Sequence, residues 1–357
     1  MTNEVGMLLA LEDAMRGTGQ VSPNPRVGSV IVRDNEVVAR GWHRKFGGVH
    51  AEVDALRQFT GPADGCTMFV TLEPCCHKDK QPPCVDAIIA SGIPNVVVGM
   101  VDPYERVKGR GLQRLRDAGL NVVVGVRELE CAWINRWFSH HVTTGLSYVL
   151  CKMATTLDLR ASDPQSTERW ITGLESRAVT HGLRGELDAV MIGIGTAVSD
   201  DPLLNVRLVE GRNPIRCVVD TKCRLPCTSQ LVSTADIIRT IIFCSNDSSV
   251  IERRKQLADV GCELYPLDVH QGRLDPRQII AATGSLGIAS ILLEGGPQLS
   301  KSFLEQGCVN ELVMHVAPSI AGSGPTWLQD LKPVHFDLRS VRHVGRDAHL
   351  TYTKGSF

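Results

Sequence analysis

No sign of charge dominates this chain of 357 residues: 38 Lys and Arg stand against 39 Asp and Glu, a formal net charge of −1. A general nucleic-acid binder carries a basic footprint, so the balance argues against that class. Aromatic residues are few, 5% of the chain, and do not interleave with basic ones, which disfavours a platform for stacked bases. No apolar run approaches the ~18–20 residues that a membrane helix needs. The opening Met1-Thr2-Asn3-Glu4 lacks the basic start and apolar core of a signal peptide. The expectation is a cytoplasmic protein without nucleic-acid or membrane partners. Internal repeats, charge blocks and low-complexity tracts are also missing. What remains, 43% hydrophobic and 22% charged, is the composition of a folded globular chain.

The length suggests two domains. Helical spacing runs over residues 4–16, 51–58, 84–91 and 112–118. Between them, 27–32, 37–41, 67–71, 96–100 and 122–126 read as strands, with a turn at Asp34-Asn35 joining the first two. A helix-like stretch at 133–137 leads into the polar Ser139-His140-His141-Val142-Thr143-Thr144-Gly145, which reads as a linker. The expected domains are therefore 1–145 and 146–357. The pattern then restarts with strands at 149–153, 189–193, 218–220, 240–244, 288–293 and 312–317. Alternating strands and helices predict an α/β fold in both halves. Twelve cysteines are spread along the chain. Without a secretion signal, most of them read as buried free thiols.

Three cysteines stand apart. His50-Ala51-Glu52 is followed by Pro74-Cys75 and then by Pro83-Cys84, with Cys76 adjoining Cys75. One imidazole and two thiolates make a donor set suited to zinc, and three protein ligands leave a fourth position open for water. Zinc lowers the pKa of water towards ~7. Glu52, two residues beyond His50 at a helix start, sits where a carboxylate can move that water's proton to a leaving amine. His-x-Glu followed by Pro-Cys and a second Cys is the signature of zinc nucleobase deaminases. Cys84 opens a helix, where the dipole favours a thiolate. The eight residues from Cys76 to Pro83, longer than the usual spacing, are available to shape a pocket. A closed structural zinc site with Cys76 or His77 as fourth ligand stays open at this stage, as does a non-enzymatic scaffold.

These residues, with Asn24-Pro25-Arg26-Val27-Gly28, Gly41-Trp42-His43 and Thr71-Leu72-Glu73-Pro74-Cys75, resemble the bifunctional riboflavin-biosynthesis deaminase/reductase family. In the second half the resemblance rests on Leu157-Asp158, Trp170-Ile171-Thr172, Gly193-Ile194-Gly195-Thr196, Asp200-Asp201-Pro202-Leu203-Leu204, Arg207 and Glu294-Gly295-Gly296-Pro297. It implies a cytidine-deaminase-like domain followed by a dihydrofolate-reductase-like domain. It implies zinc on His50, Cys75 and Cys84, Glu52 as proton shuttle, and a pyrimidine ribosyl phosphate substrate. Asn24, His43, His77 and Lys80 fall where such a substrate is held. In the second domain it implies NADPH at Lys152, Trp170, Thr196, Asp200, Gly295 and Gly296, and substrate at Arg184, Leu204, Arg207 and Glu294. Enzymes of this kind are commonly homo-oligomers.

The chain departs from the family pattern in places. Asp79 replaces a glycine in the loop between the cysteines. Leu159 replaces a glycine in Leu157-Asp158-Leu159-Arg160, filling a position that suits φ > 0 or close cofactor approach with a bulky side chain. Asp163-Pro164 and Glu168 stand in the same cofactor loop, and a carboxylate beside a substrate phosphate repels it. These departures motivate a second reading, a deaminase whose second domain is silent and which feeds a pyrimidine-derived secondary pathway. A third reading is a nucleic-acid-editing deaminase, which the charge balance disfavours.

Overall fold

The computed structural model describes residues 1–77, 82–164, 170–327 and 330–355. The chain divides into two compact units, which meet in sequence between Gly145 and Leu146.

The first unit runs α1 (Asn3–Met15), β1 (Gly28–Arg33), β2 (Glu36–Trp42), α2 (Ala51–Leu56), β3 (Thr67–Leu72), α3 (Cys84–Ser91), β4 (Asn95–Met100), α4 (Arg110–Asp117), β5 (Asn121–Val124), α5 (Glu128–Ile134) and α6 (Arg136–Thr144). Its sheet has the order β2-β1-β3-β4-β5. β1 is antiparallel to β2 and β3, and β3, β4 and β5 are parallel. Asp34 and Asn35 both take positive φ, 50° and 65°, as a tight two-residue hairpin turn requires. Val30, Ile31, Phe69, Val96 and Val98 form the centre of the core. The polar run expected to be a linker is helix instead. Ser139 to Thr144 continue α6, and the break comes only at Gly145, with φ 73°. Thr143 and Thr144 turn their hydroxyls back to helix carbonyls, which satisfies them without a loop.

The second unit runs β6 (Tyr148–Thr155), α7 (Leu174–Glu186), β7 (Ala189–Gly193), α8 (Ile194–Asp200), β8 (Ile215–Val219), α9 (Gln230–Ser233), β9 (Thr240–Ser245), α10 (Ile251–Asp259), β10 (Glu263–Leu267), β11 (Val269–His270), β12 (Arg273–Leu274), α11 (Pro276–Ser285), β13 (Ser290–Leu293), α12 (Pro297–Glu305), β14 (Glu311–Val316), β15 (Asp337–Val344) and β16 (Asp347–Thr353). Its nine-stranded sheet has the order β10-β9-β8-β7-β13-β6-β14-β16-β15. The strands from β10 to β14 are parallel, and the β15/β16 hairpin adds an antiparallel edge. Val149, Cys151, Met153 and Leu293 point into a core on one face, and Val190, Ile192 and Val218 into a core on the other. Lys152 belongs to the second face by its alternation with Cys151 and Met153. All twelve cysteines are free thiols, and Cys227 alone is exposed, against the expectation of burial. No helix among the described residues is long and apolar enough to cross a membrane.

Candidate metal centre and second-unit polar site

Local sequence brings the three donors together. His50 is the N-cap of α2, Cys75 follows β3 after Pro74, and Cys84 is the first residue of α3. Gly41 on β2 lies so close beneath α2 that a Cβ there would collide with the backbone of Ala51 and Ala55. That close approach seats the start of α2 over the sheet. The donor atoms of His50, Cys75 and Cys84 all lie within 4.8 Å of one another. His50 Nδ1 is 3.1 Å from Cys84 Sγ and 3.5 Å from Cys75 Sγ, and the Cys84 N–H donates to Cys75 Sγ over 3.3 Å. Hydrogen bonds from the Cys84 thiol, from His50 and from the Cys84 amide outweigh burial and hold Cys75 down at about 4. A ready thiolate beside an imidazole and a second thiol fits zinc.

Cys76 and His77 are not in the donor group. The Cys76 sulfur turns to the Arg106 carbonyl at 4.0 Å, and the His77 ring lies edge-on to Tyr104 at 6.4 Å. Among the described residues the centre therefore has three ligands rather than the four of a closed structural site. Glu52 is buried, 4% exposed, and bonded to the Cys84 thiol. Burial, with the Cys75 thiolate adding to it, lifts Glu52 to about 7.

His43 stands edge-on to His50 with ring centroids 5.6 Å apart. Its Nδ1–H donates to the Val49 carbonyl (3.0 Å), so its Nε2 accepts from Asn24 Nδ2 (3.2 Å). Burial holds His43 below its ordinary value, so the ring is neutral. Asn24 and His43 are thus joined beside the donor group. Asp79 and Lys80 lie outside the described residues.

Glu73 was quoted above only as part of a motif. Its buried carboxylate accepts the backbone N–H groups of Asp102 (3.2 Å), Gly109 (2.9 Å), Gly111 (2.9 Å) and Leu112 (3.3 Å). It ties the segment carrying Tyr104 and the start of α4 to the strand that delivers Cys75. A glutamate closing an apolar strand was the available signal.

In the second unit, Arg184 on α7 and Glu294 just after β13 form a two-pronged ion pair (2.6 and 2.9 Å). Arg184 also donates to the Asn205 carbonyl (3.1 Å), and Arg207 donates its amide to His181 Nδ1 (3.1 Å) and its guanidinium to Asn205 Oδ1 (2.8 Å). Leu204 is buried between them in sequence with φ 52°. Burial lowers Lys152, against the pull of Glu294. Arg184, Leu204, Arg207, Glu294 and Lys152 thus share one region. Thr196 and Gly296 meet where two strand-to-helix turns lie side by side, the Gly296 N–H donating to Thr196 Oγ1 (3.2 Å). Gly295 precedes Gly296, the N-cap of α12. Asp200 is exposed at the far end of α8, and Trp170 is 46% exposed with the Arg177 guanidinium 5.2 Å from its ring centroid.

The departure at Leu159 has a visible consequence. Leu159 keeps φ at 59°, the left-handed conformation a glycine takes freely. Its loop is pinned regardless. Asp158 accepts the amides of Ala321 (3.0 Å) and Gly322 (2.9 Å), and the Leu159 carbonyl accepts from Trp327 N (3.3 Å). Glu168 lies outside the described residues.

Sequence models of two families match. Residues 1–100 match the cytidine and deoxycytidylate deaminase zinc-binding region, and 147–350 match the RibD C-terminal domain. The riboflavin biosynthesis protein RibD of Actinobacillus pleuropneumoniae is 37% identical over 99% of this chain and 95% of its own length. The chain belongs to the RibD family. Among solved structures, Acinetobacter baumannii RibD superposes with a TM-score of 0.87 at 31% identity, covering 99% of both chains. A deaminase/reductase of this type from Thermotoga maritima gives 0.86 at 32%, covering 98% of both. RibD proteins carry a deaminase and a reductase domain, and this chain matches both, with zinc and NADPH as their cofactors. The reading as a deaminase with a silent second domain is accordingly not favoured: the C-terminal match runs through Leu159 and its loop.

Proposed function

We propose that the first unit hydrolyses the 2-amino group of 2,5-diamino-6-(5-phosphoribosylamino)pyrimidin-4-one, and that the second reduces the ribosyl group of the resulting uracil to a ribityl chain. The observation that carries this reading is the open His50, Cys75 and Cys84 group with buried Glu52 at its edge. Zinc, when bound there, supplies a Lewis acid that makes hydroxide available at neutral pH. Glu52 takes the proton of the attacking water and passes it to the departing nitrogen, so that ammonia leaves and the water oxygen becomes the ring carbonyl. A buried carboxyl bonded to the Cys84 thiol at the edge of the donor group is placed to do both. Asn24, oriented by neutral His43, reads the ring edge, His77 hydrogen-bonds the substrate, and Lys80, outside the described residues, meets the phosphate as a point charge.

In the second unit, NADPH, when bound, would supply a hydride for the sugar carbon that bears the amine. The bond from that carbon to the ring oxygen breaks, and the oxygen takes a proton to become a hydroxyl. The positive end of α12 and the Thr196 and Gly296 turns suit a diphosphate. Lys152, Trp170, Asp200 and Gly295 complete the cofactor contacts, and Arg184, Leu204, Arg207 and Glu294 hold the substrate. The reading includes a cytoplasmic location, in keeping with twelve free thiols, and a homo-oligomer, in keeping with exposed Leu338 and Val341 on edge strand β15. It includes no nucleic-acid or membrane partner.

The test is ammonia release from the diaminopyrimidine. The zinc-loaded chain releases one equivalent, and Glu52→Gln keeps its zinc while losing about 10²–10⁴-fold in rate. Full activity in Glu52→Gln overturns the deaminase assignment.

A further inference from the structure

The turns read above for the cofactor stand at the carboxyl ends of neighbouring parallel strands, the edge where open α/β sheets hold their ligands. β13 ends in Glu294-Gly295-Gly296 and β7 in Gly193-Ile194-Gly195-Thr196, and the Gly296 N–H on Thr196 Oγ1 (3.2 Å) joins the two turns. In the sheet, β6 with Lys152 lies next to β13 on one side, and β8 and then β9 lie next to β7 on the other. Lys152 and the Arg184–Glu294 pair mark the β6 side as the place of the reacting sugar and the hydride. A dinucleotide with its diphosphate at the two turns therefore has its adenosine end towards β8 and β9. Those strand ends lie one and two strand spacings beyond β7, about 5 and 10 Å.

Both ends carry a cation that the fold leaves unpaired. β8 runs into the turn Asp220-Thr221-Lys222-Cys223-Arg224. The Asp220 carbonyl accepts the Cys223 N–H (3.1 Å), and its carboxylate accepts the Leu225 N–H (2.8 Å). The Ser245 N–H at the end of β9 donates to the Thr221 carbonyl (3.0 Å), so Lys222 follows directly on the join between the two strand ends. From α10, Arg253 donates to the Cys223 carbonyl (3.1 Å) and to the Leu225 carbonyl (2.9 Å), which clamps the turn to the helix. Arg254, the next residue, does no such work. Its charge acts on Cys223 after β8, on Cys244 in β9 and on Asp247 after β9, which places it between the two strand ends. Asp247, the carboxylate in that group, is turned to its own loop, where it accepts the Ser249 N–H (2.7 Å). The side chains of Lys222 and Arg254 make no hydrogen bond and no ion pair within 4.0 Å to a described residue. Lys222 is exposed and Arg254 half-buried, so both are open to a ligand. A guanidinium and an ammonium suit a phosphate, and a phosphate on the adenosine ribose is what distinguishes NADPH from NADH.

We propose that Lys222 and Arg254 are the specificity-determining residues that take the 2′-phosphate of NADPH and give the second unit its preference over NADH. The proposal rests on the reductase reading given above. It deepens that reading by naming the side chains that select the cofactor.

The experiment is fluorescence titration of the full chain with NADPH and with NADH, for the wild type, Lys222→Ala, Arg254→Ala and the double variant. Each single variant raises the Kd for NADPH about tenfold, the loss of one charge-assisted contact, and leaves that for NADH within twofold. The double variant binds the two nucleotides nearly equally. Lys222→Arg and Arg254→Lys, which keep the charge, recover most of the NADPH affinity. As a probe without nicotinamide, 2′,5′-ADP displaces NADPH from the wild type at lower concentration than 5′-ADP, and the difference disappears in the double variant. If Arg254→Ala loses both nucleotides through misfolding, the exposed Lys222→Ala carries the test. Equal wild-type affinity for NADPH and NADH, or a Lys222→Ala variant that is insensitive or loses both nucleotides alike, overturns the proposal. Wild-type preference for NADPH with insensitive variants overturns this inference alone. No binding of either nucleotide and no NADPH oxidation by the wild type overturns the reductase reading and this inference with it.

Discussion

Arg184 and Glu294 meet fork to fork, with Arg184 Nε 2.6 Å from Oε1 and Nη2 2.9 Å from Oε2. The pair joins the last turns of α7 to the end of β13, the point where the phosphate-type turn of α12 begins. Both side chains are nearly closed to solvent, at 12% and 10% exposure. Burial raises the proton affinity of Glu294, but Arg184 and Lys152 outweigh it and hold the carboxylate below its ordinary range.

The pH dependence follows from that sign. As pH falls, the unfolded chain takes up the Glu294 proton first, near about 4.3. The pair's contribution is therefore present above that range and is lost as pH falls through the lower folded value. Glu294→Gln leaves Arg184 buried without its partner and costs about 3–5 kcal/mol at pH 7. Urea unfolding from pH 7 down to acid checks both points: the gap between wild type and variant narrows as the pH drops. A gap that widens contradicts the assignment.

Cys84→Ser removes one of two thiolates from the donor group. Zinc content falls, and ammonia release drops to about 1% or below, since the metal generates the nucleophile. NADPH oxidation with the uracil intermediate is unchanged, because the residues proposed for the reductase are all on the other unit. Metal analysis beside the two assays distinguishes this outcome from general misfolding, which lowers both activities.

The metal centre was legible in the sequence because each of its parts is local. His50 and Glu52 open one helix, Cys84 opens another, and Cys75 follows a strand and a proline. The stacked rings of His315 and His349, buried in the second unit, were not legible. They meet only through the register of β14 on β16, and β15 and β16 lie in a stretch with little apolar patterning, β15 being mostly exposed. The end of α6 was misread for a related reason: its polar residues look like a linker, and only the hydroxyl bonds back to the helix carbonyls show otherwise. Leu159 was read through the glycine it replaces, and its φ follows that reading.

The Leu159 backbone gives a rank order. A left-handed conformation costs a side-chain-bearing residue about 1–2 kcal/mol, and more for a β-branched one. Leu159→Gly and Leu159→Asn unfold at or above the wild-type temperature and keep reductase activity. Leu159→Val unfolds lower, by about 1 kcal/mol or more. Thermal melts of the three variants check the order, and a Val variant as stable as Gly contradicts it.

Asn24→Ala removes the donor to His43 Nε2 beside the metal centre. The KM for the diaminopyrimidine rises about tenfold or more, with NADPH oxidation of the intermediate unaffected. Deaminase kinetics with an unchanged KM contradicts a pocket role for Asn24.

The most direct test of the two-step reading is the mass of the product made from the diaminopyrimidine phosphate by the zinc-loaded chain, with and without NADPH. The account predicts the deaminated uracil in the absence of NADPH, and the same compound with two added hydrogens in its presence. A product that stops at the uracil in both tubes contradicts a working second unit, and an unchanged diaminopyrimidine in both contradicts the assignment of the metal centre.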